Sequence, residues 1–70
     1  MEEVRSETTG KVWKIEAAEG TEIGEEEAIL ILESMKMEIP VLAPRNGRIG
    51  KILVNEGDAV AEGQVVAVLE

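Results

Sequence analysis

Laid over itself at an offset of 37, the chain places residues 1–33 on residues 38–70, and nine positions are identical: Val4/Val41, Gly10/Gly47, Lys14/Lys51, Ile15/Ile52, Glu19/Glu56, Gly20/Gly57, Glu25/Glu62, Leu32/Leu69 and Glu33/Glu70. For this biased composition chance would give about three, and the apolar pairs Val12/Ile49, Ile23/Val60, Ile29/Val66 and Ile31/Val68 match as well. A solenoid needs about three or more copies to bury its stacked faces. Two copies in 70 residues must instead close on each other as a pseudo-two-fold pair, giving a single domain over residues 1–70. Between the copies stand Ser34, Met35, Lys36 and Met37, the connection at residues 34–37.

The second copy fixes the secondary structure. Gln64 to Leu69 is Val-rich and Ile49 to Val54 is rich in β-branched side chains, which fit a pleated surface. Residues 25–39, taken alone, have helical spacing at Ala28, Leu32, Met35 and Ile39. The repeat argues against a helix, because Ala28–Leu32 overlays the Val65–Leu69 strand and Pro40 would end a helix near Ile39. Turns are marked by Gly20-Thr21, Gly57-Asp58 and Pro44-Arg45-Asn46-Gly47. The expected strands are residues 3–6, 10–16, 21–23, 28–33, 38–42, 47–54, 58–60 and 64–69: an all-β flattened barrel or sandwich of two four-stranded halves with pseudo-two-fold symmetry. One misfit is Glu26, which occupies the place of Gly63 and demands either a strained turn or a loop shifted around Gly24.

Composition removes many functions. A net charge of −8 repels phosphate backbones and anionic lipid surfaces, which argues against nucleic acid and membrane partners. With no His and no Cys there is no His-based triad, no thiol nucleophile and no zinc site of the usual kind. Trp13 is the only aromatic residue, so no platform exists for stacking successive bases. No signal peptide or apolar span is legible, and a cytoplasmic location is the expectation. The acidic surplus sits mostly in residues 1–33, which sum to −7 against −2 for residues 38–70.

The connection between the copies breaks a local rule. Two-residue hairpin turns favour Asn, Asp or Gly because both central residues take positive φ, yet Met35, Lys36 and Met37 include none of these. Lysines at loop tips are usually solvating charges and methionines usually fill cores. A rule broken without visible structural benefit is where function is expected.

Glu33-Ser34-Met35-Lys36-Met37 resembles the attachment motif of the biotinyl domains of biotin-dependent carboxylases, most often Glu-Ala-Met-Lys-Met, with Ser34 as the one departure. The resemblance extends over essentially the whole chain: Gly10-x-Val12-x-x-Ile15, Glu19-Gly20-Thr21-x-Ile23, the motif itself, Ala43-Pro44-x-x-Gly47-x-Ile49-x-x-Ile52, Glu56-Gly57-Asp58-x-Val60 and Gly63-Gln64. The chain is similar to a stand-alone domain of the biotinyl/lipoyl attachment type, whose fold is a barrel-sandwich hybrid.

The resemblance implies that Lys36 carries biotin through an amide made by a biotin protein ligase, and that the chain is a non-catalytic carrier. It would shuttle a carboxyl group between biotin carboxylase and carboxyltransferase components, its benefit being effective concentration. Met35 and Met37 are then recognition residues flanking the arm, and Glu33, Ser34 and Glu38 candidates for contacts with the ligase. Glu33 also has a purely structural reading, since Glu70 occupies its place in the other copy. Lipoate is the alternative cofactor, because lipoyl carriers share the fold and the tip lysine, though there Asp and Ala typically flank it. An unmodified β-sandwich interaction module is the alternative from another class. A phosphopantetheine carrier, with its serine at a helix start in a helical bundle, does not fit.

Overall fold

In the computed structural model, which describes all of residues 1–70, the sequence offset of 37 is the symmetry of the molecule. Eight strands form, β1 (Glu2–Arg5), β2 (Gly10–Ile15), β3 (Glu22–Ile23), β4 (Ala28–Ser34), β5 (Met37–Leu42), β6 (Gly47–Ile52), β7 (Ala59–Val60) and β8 (Val65–Leu69). They make two antiparallel four-stranded sheets in the orders β1-β8-β6-β3 and β5-β4-β2-β7. A shift of 37 residues turns one order into the other. Residues 28–33 are strand as the repeat demanded, and the departure from simple alternation there comes from a bulge between Ala28 and Leu30, which buries Ile29 and Leu30 in succession. The molecule measures 30 × 17 × 17 Å.

The sheets are not the sequence halves. Each half sends two of its strands to one sheet and two to the other, so each copy can bury its apolar face only against the other. The core reflects this directly. Its buried residues fall into mates 37 apart: Val4/Val41, Val12/Ile49, Ile23/Val60, Ile29/Val66, Leu30/Ala67 and Leu32/Leu69. Ala43 and Val54 complete it, and their mates are the buried Ser6 and the partly buried Ala17. The Ser6 hydroxyl donates to the Thr8 carbonyl and accepts from the Thr8 amide, so the one buried polar side chain is satisfied locally.

Turn chemistry is mirrored as well. Gly20 and Gly57 take φ of 85° and 93°, and their amides donate to the Ile49 and Val12 carbonyls, extending the β3–β6 and β2–β7 ladders. At the Glu26 misfit the turn is kept and the residue is strained: Glu26 has φ 67° where Gly63 has φ 84°. Mirrored bonds hold it there, Glu26 N–H to the Ala43 carbonyl and Gly63 N–H to the Ser6 carbonyl, each at 2.8 Å.

Trp13 and Gly50 are also mates, and both are bulge residues. Val12 and Lys14 pair with Leu32 and Ile31, leaving Trp13 without a partner on β4; Ile49 and Lys51 pair with Leu69 and Val68, leaving Gly50 likewise.

Candidate functional site

The long ladder between β4 and β5 runs from Ala28↔Leu42 to Ser34↔Met37. Ser34 and Met37, expected in the connection, are its last pair, and the turn is reduced to Met35 and Lys36. Both have positive φ, 51° and 66°, as a two-residue turn matched to strand twist requires. For residues bearing a Cβ that conformation costs roughly 1–2 kcal/mol each, so the ladder behind the turn must hold it in place. Seven residues of β4 against six of β5, with β2 on the far side of β4, provide the rigid base.

The tip is fully presented to solvent. Met35 is 92% exposed and Met37 64%. Lys36 is exposed and makes neither an ion pair nor a side-chain hydrogen bond. Large exposed apolar side chains beside a cation have nothing to gain from water, and only a partner surface would cover them. Below the tip, Lys11, Glu33 and Glu38 stand in one row across β2, β4 and β5. Glu33 and Glu38 are directly opposed like charges, which destabilises a ladder. They form an acidic step at the second residue pair beneath the turn.

Ser34 is half-buried at the base of the turn. Gly10, the first residue of β2, lies against it: a Cβ built on Gly10 would meet the Glu33 carbonyl oxygen at 2.7 Å and the Ser34 Cβ at 3.4 Å. In the sequence Gly10 stands out only as one of the repeat identities. Its signal was the Gly10/Gly47 identity, a glycine kept in both copies at a strand start.

The structure thus brings together all the residues singled out in the motif, Glu33, Ser34, Met35, Lys36, Met37 and Glu38, on one hairpin. No group of acidic side chains is placed to hold a metal. The surface depressions are lined by residues such as Glu22, Glu27 and Arg48, or Arg5 and Pro40, and none includes the tip. The amine of Lys36 is thus presented to solvent on a two-residue turn of positive φ at the end of the longest ladder of its sheet.

Comparison with known proteins places the chain among relatives of one family. The family described as "Biotin-requiring enzyme" matches residues 2–69. A biotinylated protein TB7.3 homolog of Mycobacterium leprae is 43% identical over 68 residues, covering 97% of this chain and 96% of that protein. A biotin/lipoyl attachment protein of Bacillus subtilis is 41% identical over 63 residues, covering 90% of this chain and 86% of that protein. Among solved structures, Kluyveromyces lactis urea carboxylase superposes with a TM-score of 0.94 at 40% identity, over 99% of this chain and 6% of that enzyme. No helix of the chain is long and apolar enough to cross a membrane.

Proposed function

This chain belongs to the biotin/lipoyl attachment family and is a biotin carboxyl carrier-like domain, and on that premise we propose that Lys36 is its attachment residue. The observation that carries the reading is the tip itself: an unpaired lysine on a two-residue turn of positive φ, flanked by two exposed methionines. The residues fit the group, since an amide to biotin needs an accessible amine and nothing more from the carrier.

In the attachment step the deprotonated Lys36 Nζ attacks the acyl carbonyl of biotinyl-adenylate in a biotin protein ligase. The Nζ–C bond forms, the acyl C–O bond to phosphate breaks, AMP leaves, and the amine proton passes to a base of the ligase. One positive charge of the carrier is lost. Met35 and Met37 supply apolar contacts that distinguish this lysine from Lys11, Lys14 and Lys51, all of which lie within strands. The acidic step of Glu33 and Glu38 offers acceptors to basic groups of the ligase.

When bound, biotin supplies a ureido ring that takes up a carboxyl group at one active site and releases it at another. The chain's contribution is to hold the arm on a rigid hairpin and keep it at high effective concentration at biotin carboxylase and carboxyltransferase components, as a non-catalytic subunit or module. Lys36→Arg keeps the charge and removes the acylatable amine.

The test is intact mass and peptide mapping across Glu33–Glu38 on protein from its own host, beside Lys36→Arg. A biotin adduct on Lys36, absent in the variant, supports the reading. A lipoyl adduct moves the function to oxidative acyl or aminomethyl transfer, and a bare lysine throughout overturns attachment in favour of an interaction module.

A further inference from the structure

The pseudo-two-fold offers an internal control for surface chemistry, because every outward position of one sheet has a mate on the other. On the hairpin sheet, the Val12–Leu32–Ile39 row faces the core, and the next row, Lys14–Ile31–Pro40, faces out. The bulge turns Trp13 outward beside Lys14, and Trp13 is 50% exposed; further along β5, Leu42 is 41% exposed. Trp13, Ile31, Pro40 and Leu42 therefore share one outer face. Their mates on the other sheet are Gly50, Val68, Glu3 and Arg5. There the same fold carries a glycine, one valine and a Glu3–Arg5 ion pair at 2.7 Å. The backbone does not require the apolar face, since the mate sheet forms without it.

We infer that the face around Trp13 is a resting site for the ring at the end of the acyl arm on Lys36. This rests on the attachment reading above. Trp13 lies between the Leu32 and Ile31 rows, within three residue pairs of Ser34, so about 10 Å down the sheet and one strand, about 5 Å, across from β4. A lysine stem followed by a pentanoyl chain extends about 13 Å before its ring begins, from single bonds of about 1.5 Å. The ring reaches the indole from a tip whose own turn is fixed. A partly apolar bicycle loses water-exposed surface against an indole and a proline, with the indole providing a large rigid contact. At its β5 edge this face turns charged, where Arg5 and Glu7 line one depression with Pro40 and Leu42. The arm so parked is kept from the solvent and released when a partner enzyme offers a better site.

Trp13 is the only aromatic residue of the chain, so its fluorescence reports this face without labelling. The unmodified chain is treated with a biotin protein ligase, ATP and biotin, the adduct on Lys36 is verified by mass, and acrylamide quenching is compared before and after. Covering one side of a half-exposed indole should lower the quenching constant roughly twofold. Pro40→Glu, which copies Glu3 of the mate sheet, should return much of that accessibility in the adduct. An unchanged quenching constant with the adduct verified overturns the resting site and leaves attachment standing. Failure to form any adduct on Lys36 overturns the attachment reading instead. If the unmodified chain shows the same protection, rising with protein concentration, the face belongs to a second copy and the inference is wrong.

Discussion

The carboxylate of Glu56 accepts a hydrogen bond from the Ile15 amide at 3.1 Å, and its repeat mate Glu19 accepts one from the Ile52 amide at 2.9 Å. Each copy of the repeat thereby caps the end of a strand in the other copy. The glutamates are identical because a swap of the copies leaves the same job to be done. The adjacent glycine amides, Gly57 to the Val12 carbonyl and Gly20 to the Ile49 carbonyl, continue the clamp.

Glu19→Ala and Glu56→Ala should each lower stability by about 1 kcal/mol, the net worth of one such bond. Glutamine at either position keeps an acceptor oxygen and loses only charge assistance, so it should cost less. Urea titration of the four variants checks this. Equal losses for Ala and Gln would mean that charge, and not the bond, matters there.

Relief of backbone strain should be measurable at Glu26. Glu26→Gly is expected to raise stability by about 0.5–1 kcal/mol, because glycine meets no Cβ penalty at φ 67°. Gly63→Ala, at the mate position, should lower it by a similar amount. For a domain of this size thermal melting shifts by about 4–8 °C per kcal/mol, so opposite shifts of several degrees are within easy reach.

The two strand-start glycines should part company. Gly10→Ala puts a methyl 2.7 Å from the Glu33 carbonyl oxygen, a backbone atom of the hairpin, and should cost about 1–3 kcal/mol. Gly47→Ala meets the Arg45 Nη1 at 2.6 Å, the far end of a flexible side chain, while backbone is 3.6 Å away. It should cost less than its mate. Gly10→Ala should also slow ligation of biotin more than its loss of stability explains, measured at a temperature where both variants are folded.

Stability and attachment should separate at the tip. Met35→Gly removes a positive-φ penalty and should stabilise the domain by about 1 kcal/mol, yet lower the ligation rate by removing one of the two flanking methionines. Lys36→Arg should abolish attachment while moving stability by less than about 0.5 kcal/mol. A Met35→Gly variant ligated at the parental rate would show that recognition does not use that side chain.

Much of this was legible beforehand for a physical reason: the repeat compares two solutions to the same packing problem. It separated strand from helix over residues 28–33, where periodicity alone was ambiguous, and matched five of the six core pairs, from Val4/Val41 to Leu32/Leu69, without Leu30/Ala67. The motif residues could be placed on one hairpin because a ladder between residues 28–33 and 38–42 leaves room only for a tight turn. Less legible was which residues of the connection belong to the turn. Ser34 and Met37 pair as strand because two positive-φ residues suffice to reverse the chain.

By itself the sequence determined the duplicated all-β plan and the tip lysine and marked Glu26 as a misfit, since all three follow from local propensity and from one copy read against the other; that the misfit is a strained turn and not a shifted loop came from the structure. The tertiary structure alone decided that each sheet draws strands from both copies, that Gly10 lies under the hairpin, and that Trp13, Ile31, Pro40 and Leu42 share an outer face. These depend on strand pairing between residues far apart in the chain and on bulges that rotate side chains to a new side. Spacing along the chain carries neither, because register between distant strands is set by which apolar faces bury each other in three dimensions.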